Sequence, residues 1–155
     1  MKRIGQTIDK YGRVQIKFYK ETDNPLPEYQ NEGDAGLDIR SNVDVSIRGF
    51  HWETIGTGLY IIIPFGYEGQ MRSRSGLAAK HGVHVLNSPG TIDSGYRDEL
   101  KVILMNHHHW AYEVKKGDRI AQLVISPMTQ AKIEEAYELN KDDDRGGGLG
   151  STGVK

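Results

Sequence analysis

The chain advances in short apolar bursts of about five residues, broken by glycine, proline and acidic turn residues. Apolar alternation or brief apolar runs occur at Val14–Phe18, Val43–Ile47, Leu59–Ile63, Val83–Leu86, Leu100–Met105 and Ile120–Ile125. Between them stand Asn24-Pro25, Glu32-Gly33-Asp34, Arg48-Gly49, Pro64-Phe65-Gly66, Ser88-Pro89-Gly90 and Lys116-Gly117-Asp118. Successive side chains of a strand face opposite sides, so period-two bursts of this length predict half-buried strands. Many short strands with turn signals between them predict an all-β sandwich or barrel. Nothing reads as a repeated strand–helix–strand unit. One short helix is predicted over Ser75–His81, with Ala78, Ala79 and Lys80 as good helix formers and Gly82 as its stop.

At 155 residues the chain has the length of one domain. That is enough to bury a core without staples. We divide it into a single all-β domain over 1–139 and a flexible C-terminal arm over 140–155. The arm opens on Asp142-Asp143-Asp144, a solvated hinge, and continues as a Gly-rich string from Arg145 to Gly153. The 20 Lys and Arg against 21 Asp and Glu give a net charge of −1. This argues against wholesale binding to a nucleic-acid backbone, which needs a basic excess, but not against binding one small anion. Cysteine is absent, so there is no disulfide framework and no thiolate metal site. The longest apolar run, Leu59–Phe65, is far short of the roughly 20 residues of a spanning helix. The polar start has no secretory apolar stretch. The expected location is cytoplasmic (or the cytosol or nucleus of a host for a viral source), with no membrane partner. Glycine, at 19 residues, exceeds its usual share of about 7% and suggests turns or backbone brought close to a ligand.

Several segments carry side chains suited to a phosphorylated ligand. Arg72-Ser73-Arg74-Ser75-Gly76 combines two guanidiniums and two hydroxyls with a helix start. Asn87-Ser88-Pro89-Gly90-Thr91-Ile92-Asp93 reads as a hairpin with an acidic residue past its turn. Gly117-Asp118-Arg119-Ile120-Ala121-Gln122 is a turn entering a strand, with Gln122 either exposed or turned into a cleft. Asp38, between Leu37 and Ile39, has the setting of a structural hydrogen-bonding carboxylate. In the tail, Gly148-Leu149-Gly150-Ser151-Thr152-Gly153 matches a dinucleotide fingerprint only as a string, because no helix can follow. Its other readings are a plain Gly-rich tail, or an arm that orders over an anion through Arg145, bare backbone N–H groups and the Ser151 and Thr152 hydroxyls.

In order along the chain, A-G-L-D-I at 35–39, R-S-G-L-A at 74–78, G-T-I-D-S-G-Y-R at 90–97, G-D-R-I-A-Q at 117–122 and R-G-G-G-L-G-S-T-G at 145–153 resemble the five motifs of the trimeric deoxyuridine triphosphatase (dUTPase) family. The resemblance implies an all-β, jelly-roll-like subunit, a homotrimer with shared active sites, and hydrolysis of dUTP to dUMP and pyrophosphate. Such an activity limits uracil incorporation into DNA and supplies dUMP for thymidylate synthesis.

It also implies roles. Asp93 matches the catalytic carboxylate that orients and deprotonates a water for attack on the α-phosphorus. Asn87 and the backbone of Gly90, Thr91 and Ile92 would read the uracil edge, rejecting cytosine through unpaired donors and acceptors. Tyr96 would pack on the sugar and exclude a ribose hydroxyl. Arg74, Ser75, Gly76 and Gln122 match phosphate-contacting positions, and Arg145 the arm arginine that contacts the γ-phosphate. Lys101, Gly150 and Ser151 complete the implied substrate-binding set. A triphosphate also calls for Mg2+, held mainly through phosphates and waters, with Asp38 and Gln122 as outer-shell candidates and no direct protein ligand.

The match has departures. Ser73 stands where the family usually has Pro, Gly95 where it has Asp, and Asp98 where it has Gly. Leu149 sits nearest the usual aromatic lid, in a string one residue shorter than the family's, so uracil would be covered either without a stacking ring, commonly worth about 1–3 kcal/mol in nucleic-acid binders, or by another aromatic. His107-His108-His109 reads as part of a polar hairpin tip from Asn106 to Trp110, because consecutive strand residues diverge and cannot converge on a metal. The rival enzyme of the same fold is a dCTP deaminase, against which the Arg145 arm and the Gly90–Arg97 hairpin weigh. A slow nucleotide-sensing relative would lack the need for Asp93 and Arg145, and a structural jelly roll explains none of the motifs.

Overall fold

A computed structural model describes residues 8–139 and Gly146. The arm candidates Arg145, Leu149, Gly150 and Ser151 lie outside the described residues. The elements run β1 (Lys17–Lys20), β2 (Gly36–Arg40), β3 (Val45–Ile47), β4 (Trp52–Gly56), β5 (Leu59–Ile62), β6 (Tyr67–Arg72), α1 (Ser75–His81), β7 (Val83–Val85), β8 (Gly90–Ile92), β9 (Lys101–Asn106), β10 (Tyr112–Val114) and β11 (Arg119–Pro127). All pairings are antiparallel. The sheets are β2-β11-β6-β8, β4-β9-β7 and two pairs, β1-β5 and β10-β3. The fold is therefore all-β with one short helix. Among the described residues no helix is long and apolar enough to cross a membrane.

Alternation along the strands decides what is buried. In β9, Val102, Leu104 and Asn106 face inward, while Lys101, Ile103 and Met105 face outward or part-way. In β2, Leu37 and Ile39 join the core, leaving Gly36, Asp38 and Arg40 on the other face. The core is aliphatic, with Ile39, Ile47, Ile55, Ile61, Leu104 and Leu123 all fully buried. Truncating one such residue, Leu104→Ala for example, costs about 2–5 kcal/mol in lost transfer energy and cavity. The helix ends where expected. Gly82, at φ 63°, takes the left-handed conformation that only glycine adopts freely, and its N–H closes on Ala78 O.

Two expectations shift. The first strand lies at 17–20 rather than 14–18, with Val14 instead forming an isolated bridge to Ile8. Asn106–Trp110 is not a hairpin tip, because β10 pairs with β3 and not with β9. The segment is a crossover between sheets, and Asn106 anchors it. Its buried amide donates to Ile47 O at 3.0 Å and Trp110 O at 2.8 Å, and its Oδ1 accepts from His108 N at 2.9 Å. Among the described residues no group of three or more metal-ligating side chains forms around the histidines.

Candidate active site

The site begins with register on one sheet. Gln122 of β11 lies opposite Asp38 of β2 on one side and Arg72 of β6 on the other. Period two therefore sets Asp38 and Gln122 on one face, while Leu37, Leu123 and Met71 fill the other. Gly36 keeps this face open. A Cβ there would sit 2.3 Å from Gln122 Oε1 and 3.2 Å from Gln122 Cβ, so only glycine leaves the amide its place. Gln122 Nε2 donates to Ser73 O at 2.8 Å, tying β11 to the β6–α1 junction.

Beyond that junction α1 starts with Arg74 at its N-cap, no side-chain cap and no acidic residue in the first turn. The first-turn amides and the positive end of the helix favour an anion there. Gln30, Asp34, Ala35, Gly36, Asp38, Arg74, Ser75, Gly76 and Gln122 line a cleft of about 290 Å³ at this point. Four predicted phosphate-binding residues, Arg74, Ser75, Gly76 and Gln122, thus meet in one cavity with Asp38.

Asp38 is tied to two guanidiniums. Arg74 Nε lies 3.1 Å from its Oδ1, and Arg119 Nη1 lies 3.0 Å from its Oδ2. Arg74 Nη1 also donates to Arg119 O at 3.1 Å. Asp38 is 13% exposed, so these contacts are screened less than a surface pair would be. Ser73 is integrated too. Its N–H donates to Ser88 Oγ at 3.3 Å, a bond a proline could not make, and its Oγ accepts from Val85 N at 3.0 Å.

The remaining predicted residues lie elsewhere. Gly90, Thr91 and Ile92 pair with Met71, Gln70 and Gly69, so β8 runs away from Arg74. Asp93 follows opposite the Glu68 end of β6, six residues along from Arg74. At about 3.3 Å per residue this is a separation on the order of 20 Å. Asp93 is exposed, and its carboxylate has no hydrogen bond among the described residues. Its backbone is fixed instead, with Asp93 O accepting from Tyr96 N at 3.0 Å. Tyr96 donates its hydroxyl to Glu99 O at 2.8 Å, and partial burial, then Asp98 and Glu99, push its phenol above the ordinary value. Arg97 Nη1 caps Ser94 O at 2.8 Å and Tyr96 O at 2.6 Å. The exposed Asn87 lies over Gly90, where a Cβ would come within 3.1 Å of its Nδ2. Lys101 opens β9 with Nζ 3.8 Å from Glu99 Oε2. Among the described residues no position from 87 to 101 lines the Arg74 cleft.

The cleft carries two carboxylates, Asp34 and Asp38, and two amides, Gln30 and Gln122, but both Asp38 oxygens are already paired with guanidiniums, so a hard divalent cation would meet this set only through its own waters and the phosphates of a ligand. Gln30, Asp34 and Arg119 were not singled out as site residues from sequence. Asp34 borders the 35–39 motif and Arg119 stands inside the 117–122 motif, and these placements are the signals that point to them.

The family model for dUTPase matches residues 9–153. The deoxyuridine 5'-triphosphate nucleotidohydrolase of Nautilia profundicola is 55% identical over 128 residues, covering 83% of this chain and 90% of its own. That of Clostridium acetobutylicum is 49% identical over 143 residues, covering 92% and 99%. Among solved structures, a point mutant of the Staphylococcus bacteriophage 80alpha dUTPase with dUpNHpp superposes with a TM-score of 0.83 at 28% identity, covering 90% of this chain and 99% of the other. A mutant dUTPase from phage phi11 of S. aureus, described as revealing the coordination of a structural Mg(II) ion, gives 0.75 at 25% identity, covering 81% and 98%.

Proposed function

This chain belongs to the dUTPase family and is a dUTP diphosphatase that hydrolyses dUTP; on that premise we propose how its residues divide the work. The observation that carries the reading is the cleft where Arg74, Ser75, Gly76 and Gln122 converge at a helix start. It grips the triphosphate. Phosphoryl transfer rests chiefly on positioning and charge stabilisation, which is what a fixed guanidinium, a hydroxyl and oriented amides supply.

Asp93 orients a water and accepts its proton as the water attacks the α-phosphorus, with pyrophosphate leaving from the opposite side. Exposure keeps that carboxylate hydrated before substrate arrives, and the Tyr96 N–H to Asp93 O turn fixes its backbone. Asn87 and the backbone of Gly90, Thr91 and Ile92 read uracil, and Tyr96 and Lys101 bound the sugar side. Mg2+, when bound through the phosphates and waters near Asp38 and Gln122, would offset charge on the triphosphate. Arg145, Gly150 and Ser151 belong to an arm, 140–155, that closes over the nucleotide and brings Arg145 to the γ-phosphate.

A separation on the order of 20 Å between Asp93 and Arg74 along one sheet exceeds the span from nucleoside to β-phosphate that one substrate must bridge. A second copy of the chain therefore supplies the missing half, and a homotrimer with sites shared between subunits meets that need. Clearing dUTP from the nucleotide pool while making dUMP fits a cytoplasmic location.

The deciding experiment supplies purified protein and Mg2+ with dUTP, dTTP, dCTP and UTP in parallel and measures pyrophosphate release. Release from dUTP is expected to dominate. Equal turnover of dTTP defeats the uracil assignment, and ammonia release from dCTP moves the chain to deamination.

A further inference from the structure

We infer that Arg119 is a positioning residue of the phosphate cleft, holding Asp38 and, through Asp38 and its own carbonyl, fixing the guanidinium of Arg74. The inference rests on the reading above that this cleft grips the triphosphate.

The argument starts in the backbone of β11. In a regular strand Arg119 would share a face with Ala121 and Leu123, both 0% exposed. A charged side chain there would be buried in an aliphatic core. The strand instead carries a bulge. Arg119 pairs with Arg40 and Ala121 with Ile39, leaving Ile120 as the extra residue. The burial pattern shows the same break, because Ile120 and Ala121 are consecutive and both buried, at 1% and 0%. A bulge of this kind turns one side chain to the other face. Here it carries Arg119 to the side of Asp38 and Gln122.

The bulge puts two parts of Arg119 to use. Its guanidinium binds Asp38 Oδ2 at 3.0 Å, and its carbonyl accepts from Arg74 Nη1 at 3.1 Å. Asp38 turns its other oxygen to Arg74 Nε at 3.1 Å. Arg74 is therefore held at two points of its planar fork, and its remaining N–H donors have no partner among the described residues. A long flexible side chain fixed in this way meets an anion without losing freedom on binding. Without the Arg119 guanidinium, Asp38 would keep one cation and gain an uncommitted Oδ2, free to turn about its side chain and loosen its hold on Arg74 Nε, while the main-chain carbonyl at 119 would still accept from Arg74 Nη1.

The test measures pyrophosphate and deoxyuridine binding calorimetrically on the full chain with Mg2+, comparing wild type with Arg119→Ala, Arg119→Lys, Asp38→Asn and the Asp38→Asn/Arg119→Ala pair. Arg119→Ala is expected to weaken pyrophosphate about tenfold, the low end of what loss of an outer partner costs at metal sites. Deoxyuridine affinity should stay unchanged, because the hairpin reads the nucleoside. Arg119→Lys should recover most of the loss, since one N–H to Oδ2 suffices. The double variant should lose no more than Asp38→Asn alone, the signature of one residue acting through the other. Should Arg119→Ala fail to fold, Arg119→Gln carries the same comparison.

Equal pyrophosphate affinity in wild type and Arg119→Ala overturns the inference, as does parallel loss of deoxyuridine affinity, which marks general disruption. A wild-type chain that binds deoxyuridine but not pyrophosphate defeats the reading of the cleft itself.

Discussion

At one end of the β2-β11-β6-β8 sheet, Arg74, Asp38 and Gln122 are each held by named partners before any ligand is present. At the other end, Asp93 projects into solvent from a turn whose backbone is fixed while its carboxylate is not. The two regions face different physical demands. A cation that must meet a polyanion gains from being pre-set, because ordering a guanidinium at the moment of binding costs affinity. A carboxylate that must take up a proton needs its oxygens uncommitted, so its position is set through the main chain instead. Each end is locally finished, and neither is sufficient alone.

The comparison can be broken most sharply at Asp93. Asp93→Asn is expected to lower turnover by about 10²–10⁴-fold, the range of a positioned general base, while pyrophosphate affinity at the Arg74 end stays within about twofold. Quenched-flow turnover alongside calorimetry checks both, and a matching fall in pyrophosphate affinity would merge the two regions into one. Tyr96 comes next. Tyr96→Ala should cut discrimination of dUTP over UTP by about tenfold or more, read as the ratio of kcat/KM values.

Division of one site between two copies of the chain predicts complementation. Arg74→Ala and Asp93→Asn chains, each inactive, should regain about a quarter of wild-type activity when mixed during refolding, the fraction of randomly formed interfaces with both halves intact. No recovery, with mixed oligomers shown by mass spectrometry, would put both residues in one subunit's site. A smaller effect is expected at Gly36. Gly36→Ala crowds Gln122 Oε1 and should raise KM for dUTP by about two- to fivefold with kcat nearly unchanged.

The smallest effect belongs to a third charged region. Asp44 accepts from Lys116 N at 2.7 Å and lies 3.6 Å from Lys115 Nζ, and these hold its carboxyl below the ordinary 3.8. A lowered folded-state value means that its contribution is full above the unfolded value and fades as the pH falls through the folded one. Acid titration below about pH 4 should therefore erase the difference in Tm between wild type and Asp44→Asn. A difference that persists at pH 2 would show that the contact is not ionic.

Much of the phosphate end could be read from the chain itself. The helix over 75–81, its glycine stop and the motif residues around Arg74 are local features, and local chemistry fixes them. The strands Trp52–Gly56, Tyr67–Arg72 and Tyr112–Val114 did not stand out, because glycine and polar residues interrupt their alternation and only their neighbours in the sheet make them strands. Arg119 was hidden for a related reason. Its direction depends on a bulge, and a bulge is a mismatch with a partner strand some eighty residues away rather than a property of five residues. The crossover after Asn106 reads in the sequence as a hairpin, because nothing in a polar connection says which strand comes next to which.

Asn106 carries a consequence for how the molecule opens. Its amide ties the carbonyls of Ile47 and Trp110 together at the end of β9, so the β3–β4 turn and the histidine crossover cannot detach separately without stranding a buried donor. Although the side chains from His107 to Trp110 are exposed, the His108 amide, bonded to Asn106 Oδ1, should exchange its hydrogen only when the β9 sheet itself opens. A segment that looks like surface in a burial profile would then behave, over hours in deuterated water, as part of the core.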